Sequence, residues 1–237
     1  MHLFYIPGIQ SDRIQLSEEE SKHALRVLRL SQGDIVGLID GVGGFYEAEI
    51  VEAHAKKCLL KVISRKQKWS YRPYKIKIAV APTKSLDRME WFVEKATEIG
   101  IDEISFLLCE RSERKSVNLD RLDKIIVSAM KQSVKAYKPI IMDIMPLKDY
   151  VKNITGTDTY MAHLEEHRQL SLHQVVPSAS CCVLIGPEGD FSSSEIQMAY
   201  AAGIKPVTLG SSRLRTETAA LAACHTLNLL HEMKKDN

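Results

Sequence analysis

The sequence carries no surplus of charge. Over 237 residues, 32 Lys and Arg face 30 Asp and Glu, a net charge of +2. A polyanionic partner must therefore be met by a local patch, not by the field of the whole chain. The five cysteines, Cys58, Cys109, Cys181, Cys182 and Cys224, contain no CxxC pair. Cys181 and Cys182 are adjacent on a strand and point to opposite faces, a poor geometry for a disulfide. Reduced thiols in the cytoplasm, with no zinc site, are the expectation. No apolar run is long enough to span a membrane and no secretory leader pattern is visible, so no membrane association is expected. The P-loop pattern G-x-x-x-x-G-K-[ST] is missing, as are G-x-S-x-G and H-E-x-x-H. Gly41-Val42-Gly43-Gly44 comes nearest to G-x-G-x-x-G, but Tyr46 stands where the last glycine belongs, and a strand follows where a helix should. His163 and His167 are four apart, yet Leu164 ends a strand between them, so two ordinary polar residues are expected there and no metal pair.

What is present centres on residues 179–223. Two apolar strands, 181–185 and 206–209, each stop at glycine: Gly186-Pro187-Glu188-Gly189 after the first, Gly210 after the second. Ser192 and Glu195 have capping-box spacing, and Gly203 is placed to end the intervening helix. This β-loop-α-β-loop-α order favours a parallel sheet, in which ligands bind at the carboxyl ends of strands. Ser211 and Ser212 beside Arg213 and Arg215 could hold an anion. Glycine and proline loops converging on strand ends point instead to a backbone-lined nucleoside pocket.

The first part of the chain is rich in strands. Residues 3–6, 35–39, 45–51 and 58–63 read as strands separated by tight turns, a small β-barrel over residues 1–67. A helix starts near Ser17, with Leu25, Leu28, Val27 and Leu30 expected inward and His23, Arg26 and Arg29 outward. Residues 68–74 form a basic, aromatic linker. It reads either as a solvated connection whose aromatics seal two domains, or as a patch where cations neutralise phosphates and rings stack on bases. From residue 75 to 237 strands and helices alternate. Strands are expected at 76–81, 104–109, 140–144 and 159–164. One helix is closed by Gly100, and a second, capped by Asn118, has Leu122, Ile125, Ile126, Ala129 and Met130 inward. A last helix runs from about Thr216, with Ala219, Leu221, Leu227 and Leu230 as its apolar residues.

Several motifs together resemble a known family. Ile185-Gly186-Pro187-Glu188-Gly189, Leu209-Gly210 and Leu214-Arg215-Thr216-Glu217-Thr218-Ala219 are similar to the ribosomal RNA uridine-N3 methyltransferases (RsmE type) of the SPOUT superfamily. Thr83-Lys84, Met89-Glu90, 95–100, Glu110-Arg111-Ser112, Gln132-Ser133 and 23–29 extend the likeness over nearly the whole chain. The resemblance implies an α/β fold: a trefoil-knotted methyltransferase domain with a parallel sheet, preceded by a PUA-like β-barrel. It implies S-adenosyl-L-methionine in the knot, a homodimer, and 16S ribosomal RNA of the small subunit as substrate. The expected cofactor-binding residues are Leu164, Ile185, Gly186, Gly189, Leu209, Gly210, Leu214, Thr218 and Ala219. The expected RNA contacts are His23, Arg26, Arg29, Lys66, Lys68, Arg72, Lys84, Arg111 and Arg114. The sequence departs from the family at Asp190, often glycine, at Lys131, often acidic, and at Val134-Lys135, more usually Gly-Arg.

Arg215 is the expected catalytic residue, aimed at charge developing on the uracil ring. Glu217 either orients it or accepts a proton. Structural alternatives stand beside these roles. Arg215 could pair with Glu188 or Glu217, Glu188 could bind backbone amides, and Thr216, Glu217 and Thr218 could serve the start of a helix. The competing function is a non-catalytic RNA-binding ribosome assembly factor that keeps the fold.

Overall fold

The computed structural model describes residues 1–164 and 170–234. The chain divides into two units, Met1–Tyr71 with Met130–Lys138, and Arg72–Ala129 with Pro139–Asn237.

The first unit is built on a five-stranded sheet. Its strands are β1 (Leu3–Tyr5), β2 (Arg13–Gln15), β3 (Ile35–Ile39), β4 (Phe45–Glu52) and β5 (Leu59–Lys66), in the order β1-β3-β4-β5-β2. β1 is parallel to β3 and the other pairs are antiparallel. In β4, Tyr46, Ala48 and Ile50 are buried and Glu47 and Glu49 half-buried, the alternation of a strand with one face on a core. Ser17 caps α1 (Glu18–Lys22) by accepting from Glu20 N at 3.1 Å. The helix then widens into a π-helical turn, His23–Val27, where Leu28 N donates to His23 O and Leu30 N to Ala24 O. A wider turn breaks the 3.6-residue period. Val27, expected inward, is accordingly 67 % exposed, and Ala24 takes the fully buried place.

The second unit carries a seven-stranded sheet. Its elements are β6 (Lys75–Val80), α2 (Leu86–Ile99), β7 (Glu103–Leu108), α3 (Leu119–Ser133), β8 (Ile140–Pro146), α4 (Leu147–Asn153), β9 (Asp158–Ala162), β10 (Leu170–Ser171), β11 (Ser180–Ile185), α5 (Ser193–Ala201), β12 (Lys205–Thr208) and α6 (Thr216–Met233). The strand order is β10-β12-β9-β11-β6-β7-β8, and every pairing is parallel. The chain runs outward from β6 to β8, then returns to the other side of β6, where β11 slots between β9 and β6. That reversal makes a crevice at the strand carboxyl ends. β11 is buried on both faces, which is why residues 181–185 are apolar without alternation. Along α6 the buried side chains are the apolar Ala220, Ala223, Cys224 and Leu227 and the polar Thr216, Glu217, Asn228 and His231; Ala219, Leu221 and Leu230 are only half-buried.

Polar ties account for residues that hydrophobic period does not explain. Arg72 donates to Gly100 O (2.8 Å), Asn228 Oδ1 (2.7 Å) and Asp102 Oδ2 (2.6 Å). Asn228 Nδ2 donates to the same Gly100 O at 2.8 Å, so the end of α2 is pinned to α6. The linker aromatics divide between the units. Trp69 stacks on Phe45 in the first, and Tyr74 on His231 in the second. Lys131 pairs with Glu20 at 3.0 Å, a local use for the charge that departs from the family pattern.

All five thiols are buried and unpaired with one another. Burial pushes the Cys182 thiol up to about 12, and thiolate is the reactive form. A thiol reagent at pH 8 should therefore leave the native protein unlabelled and modify five groups once it is denatured. Fast native labelling of Cys182 would contradict this packing.

Val134 has φ 55°, a left-handed conformation that a β-branched residue resists. This explains why glycine is the more usual residue there. Val134→Gly should relieve about 1–2 kcal/mol of steric cost against about 0.5–1 kcal/mol of added unfolded-state freedom, for a small net gain. Thermal unfolding should show Tm higher by roughly 1–3 °C; a lower Tm would refute the strain.

Candidate functional site

Three parallel strands, β9, β11 and β12, end side by side, and the loops that leave them form a pocket of about 380 Å³. Its wall comes from Ala162–Leu164 after β9, Ile185–Glu188 and Asp190 after β11, and Val207–Gly210 and Ser212–Thr216 after β12, closed by Ala219 of α6. The volume lies in the range of small-molecule sites, and the apolar floor of Ile185, Val207, Leu209, Leu214 and Ala219 suits a flat heterocycle.

Few side chains hold these loops. Thr216 Oγ1 donates to Gly186 O at 3.2 Å, tying the start of α6 to the end of β11. Asp190 is the main clamp. Its Oδ2 accepts from Leu164 N at 2.8 Å, and its Oδ1 from Phe191 N at 2.8 Å. Asp190 has φ 62°, a left-handed backbone that Asp occupies at some cost and that the glycine expected from the resemblance would adopt freely. Ser192 and Glu195 form the expected capping box, through Ser192 N to Glu195 Oε2 (2.9 Å) and Glu195 N to Ser192 Oγ (3.3 Å). Glu195 Oε1 also accepts from Glu110 N at 2.8 Å, which joins the loop after β7 to α5. Glu188 binds a backbone amide, accepting from Lys84 N at 3.1 Å. Gly210 has φ 128°, and a Cβ there would meet nothing within 4 Å. Its glycine is required by the backbone conformation, not by neighbouring protein atoms.

Of the expected cofactor residues, Leu164, Ile185, Gly186, Leu209, Gly210, Leu214 and Ala219 line the pocket. Gly189 and Thr218 are exposed and stand outside its wall. His163, Asp190, Arg213 and Thr216 line it without having been expected among the cofactor residues. His163 bonds Tyr200 OH through Nε2 at 2.6 Å, while His167 lies outside the described residues. Among the described residues no cluster of His, Cys, Asp or Glu could hold a metal ion.

Arg215 is exposed at the pocket wall, and its guanidinium has no partner among the described residues; it pairs with neither Glu188 nor Glu217. Glu217 lies inward, only 6 % exposed, with Oε1 3.8 Å from Arg88 Nε and Oε2 without a hydrogen-bond partner among the described residues. Arg88 is thus the partner that sequence reasoning missed; it sits in the first turn of α2, 129 residues away in sequence.

The expected RNA-contacting cations behave unequally. Arg26, Arg29, Lys66 and Lys68 are exposed in the first unit, where His23 is half-buried 3.5 Å from Glu20. In the second unit Lys84 is exposed, 3.2 Å from Glu113. Arg111 donates to Gly189 O (2.8 Å), and Arg114 donates twice to Lys84 O (2.7 and 3.2 Å). Arg72 is turned inward by its three bonds.

Comparison with known proteins gives a consistent picture. A family model described as an RNA methyltransferase domain matches residues 70–228, and one described as an RNA methyltransferase PUA domain matches residues 16–63. The ribosomal RNA small subunit methyltransferase E of Synechocystis sp. is 31% identical over 228 residues, 92% of this chain and 74% of its own length. The crystal structure of a probable rRNA-methyltransferase from Porphyromonas gingivalis superposes with a TM-score of 0.92 at 41% identity, covering 99% of this chain and 100% of that one. A ribosomal RNA small subunit methyltransferase E from Neisseria gonorrhoeae, bound to S-adenosyl methionine, gives a TM-score of 0.88 at 26% identity, covering 97% and 98%.

The Asp190 clamp can be tested with two substitutions. Asp190→Gly and Asp190→Ala both remove the bonds to Leu164 and Phe191, and each should cost about 1–3 kcal/mol. Alanine also keeps the left-handed strain, so it should be the less stable by about 1 kcal/mol in urea denaturation. Equal stability of the two variants would show that the backbone conformation carries no cost here.

Proposed function

The chain belongs to the RNA methyltransferases of the small-subunit methyltransferase E family, and from that premise we propose that it methylates N3 of a specific uridine in 16S ribosomal RNA. The observation that carries this reading is a nucleoside-sized pocket at the carboxyl ends of parallel strands, with Arg213 and Arg215 at its wall, neither partnered among the described residues, and Arg215 the one next to the start of α6. S-adenosyl-L-methionine fits the apolar floor and the open backbone of that pocket. Ile185, Gly186, Leu209, Gly210, Leu214 and Ala219 would hold it, and when bound it supplies a methyl group on a sulfonium.

The chain's own residues then supply position and electrostatics. Uridine N3 carries a proton, and its lone pair is delocalised into the flanking carbonyls. The proton must pass to solvent before the nitrogen becomes a good nucleophile, and negative charge then develops on N3 and the carbonyl oxygens. Arg215, charged and without a competing partner among the described residues, stabilises that charge. Glu217 acts from behind: paired with Arg88, it sets the first turn of α6 and hence the direction in which Arg215 leaves the helix. Phosphate contacts fall to His23, Arg26, Arg29, Lys66, Lys68 and Lys84, because Arg72, Arg111 and Arg114 are engaged by protein carbonyls. The non-catalytic reading has no use for so complete a pocket.

The same reading includes a homodimer and, by family likeness, a trefoil knot in the second unit. Exposed Trp91 on α2 and Leu229 on α6 support the first. The proposed place of action is the cytoplasm, where ribosomes are assembled; among the described residues no helix is long and apolar enough to cross a membrane.

Arg215→Ala should keep cofactor affinity by calorimetry but lose about 100-fold in single-turnover methylation with saturating RNA. Glu217→Gln should fold normally and lose less than about tenfold. Gly210→Val should stay folded and bind no cofactor, because its loop cannot hold a left-handed turn. A near-normal rate for the arginine variant would eliminate its proposed role.

A further inference from the structure

Three stretches of the first unit, residues 40–44, 66–71 and 134–138, are distant in sequence and meet on one surface. Trp69 N donates to Gly43 O, Gly43 N to Ala136 O, and Lys138 N to Gly41 O, each at 2.9 Å. Ala136 N donates to Ser70 Oγ (3.1 Å) and Trp69 Nε1 to Val134 O (3.0 Å). Buried Asp40 braces the hairpin from within, accepting from Val42 N and Gly44 N at 2.8 Å and from Tyr46 OH at 3.0 Å. The glycines that fail as a dinucleotide fingerprint have a purpose here. Gly43 leaves the space that the Tyr137 ring occupies, since a Cβ would stand 2.4 Å from that ring.

The surface is held against local preference. Lys68, Ser70 and Val134 are all left-handed, at φ 57°, 57° and 55°. Such outliers persist only where the surroundings over-determine them, and they gather at functional sites. What they present is aromatic and cationic. Tyr71 is 57 % exposed, its centroid 6.1 Å from that of Tyr137 with the planes 57° apart. Lys68 Nζ lies 5.9 Å over the Tyr71 ring, and Lys138 Nζ 5.4 Å over the Tyr5 ring. The three stretches hold four lysines, Lys66, Lys68, Lys135 and Lys138, and one carboxylate, Asp40, which is buried and bonded.

We propose that this surface binds unpaired nucleotides of RNA, with bases stacking on Tyr71 and Tyr137 and phosphates meeting Lys68 and Lys138. The site rests on the reading of RNA as substrate and adds which form of RNA the first unit holds. Rings tilted by 57° cannot both lie on one continuous base stack. Each takes its own splayed base, which a duplex does not offer. An acidic protein would meet the lysines and gain nothing from the rings.

The test uses the full chain, fluorescent decauridine, and a ten-base-pair RNA duplex. Tyr71→Ala should weaken decauridine binding about tenfold while Tyr71→Phe retains it. Duplex binding should not change in either variant. Lys68→Ala should flatten the log–log salt dependence for decauridine by about 0.7, and it carries the test should Tyr71→Ala fail to fold. Unchanged binding in Tyr71→Ala, an unchanged salt slope in Lys68→Ala, or displacement of decauridine by polyglutamate as readily as by unlabelled RNA would overturn the proposal. Decauridine binding is read without cofactor and without methylation. Failure of the catalytic reading alone would therefore leave the tyrosine result intact.

Discussion

The pocket depends on how three strand ends are tied together, and two side chains dominate. Thr216 joins α6 to the carbonyl of Gly186, and Asp190 joins the loop after β11 to the amide of Leu164 after β9. The first bond is buried and the second lies at the surface. Each substitutes for water at a backbone group that the loop geometry would otherwise leave without a partner, which is where a single hydrogen bond matters most. Between these ties the wall is largely backbone and aliphatic side chain. A ligand there is recognised by shape and by main-chain groups, consistent with a purine-bearing cofactor that needs position more than charge.

Electrostatics then separates arginines of similar sequence setting. The chain is nearly neutral, so no global field biases where an anion docks. Arg72, Arg111 and Arg114 are each held by carbonyls of their own unit, and such multidentate bonding removes them from competition for an incoming phosphate. Arg215 has no such partner among the described residues, so its charge is available at the pocket wall. The inward carboxylate of Glu217 is the converse case: its buried Oε2 has no donor among the described residues, which is costly, and Arg88, 3.8 Å from Oε1, offsets the charge.

Backbone strain is distributed with similar economy. Of the five non-glycine residues with positive φ among the described residues, Asp190 stands at the pocket, and Lys68, Ser70 and Val134 cluster on one surface of the first unit. The remaining one, Arg29, follows the π-helical turn that carries Arg26. Each of these places presents a side chain in a direction that regular structure would not allow.

What was legible in the sequence is what local physics decides. Strand ends at Gly186 and Gly210, the Ser192–Glu195 box, the Asn118 cap and the closure of α2 at Gly100 depend on residues within a few positions of one another, and each appears as expected. The parallel sheet follows from alternating strands and helices, and the apolar run of β11 from burial on both faces. Tertiary structure decided the rest. The insertion of β11 between β9 and β6, the pairing of Glu217 with Arg88 and the inward turn of Arg72 join residues separated by many positions, and no period or spacing encodes such pairs. Val27 was misplaced for a related reason: a π-helical turn shifts the register by an amount that a fixed 3.6-residue period cannot contain. Which strands end in turns is thus written locally, whereas which arginine is left free depends on where every other donor and acceptor in the folded chain has already found a partner.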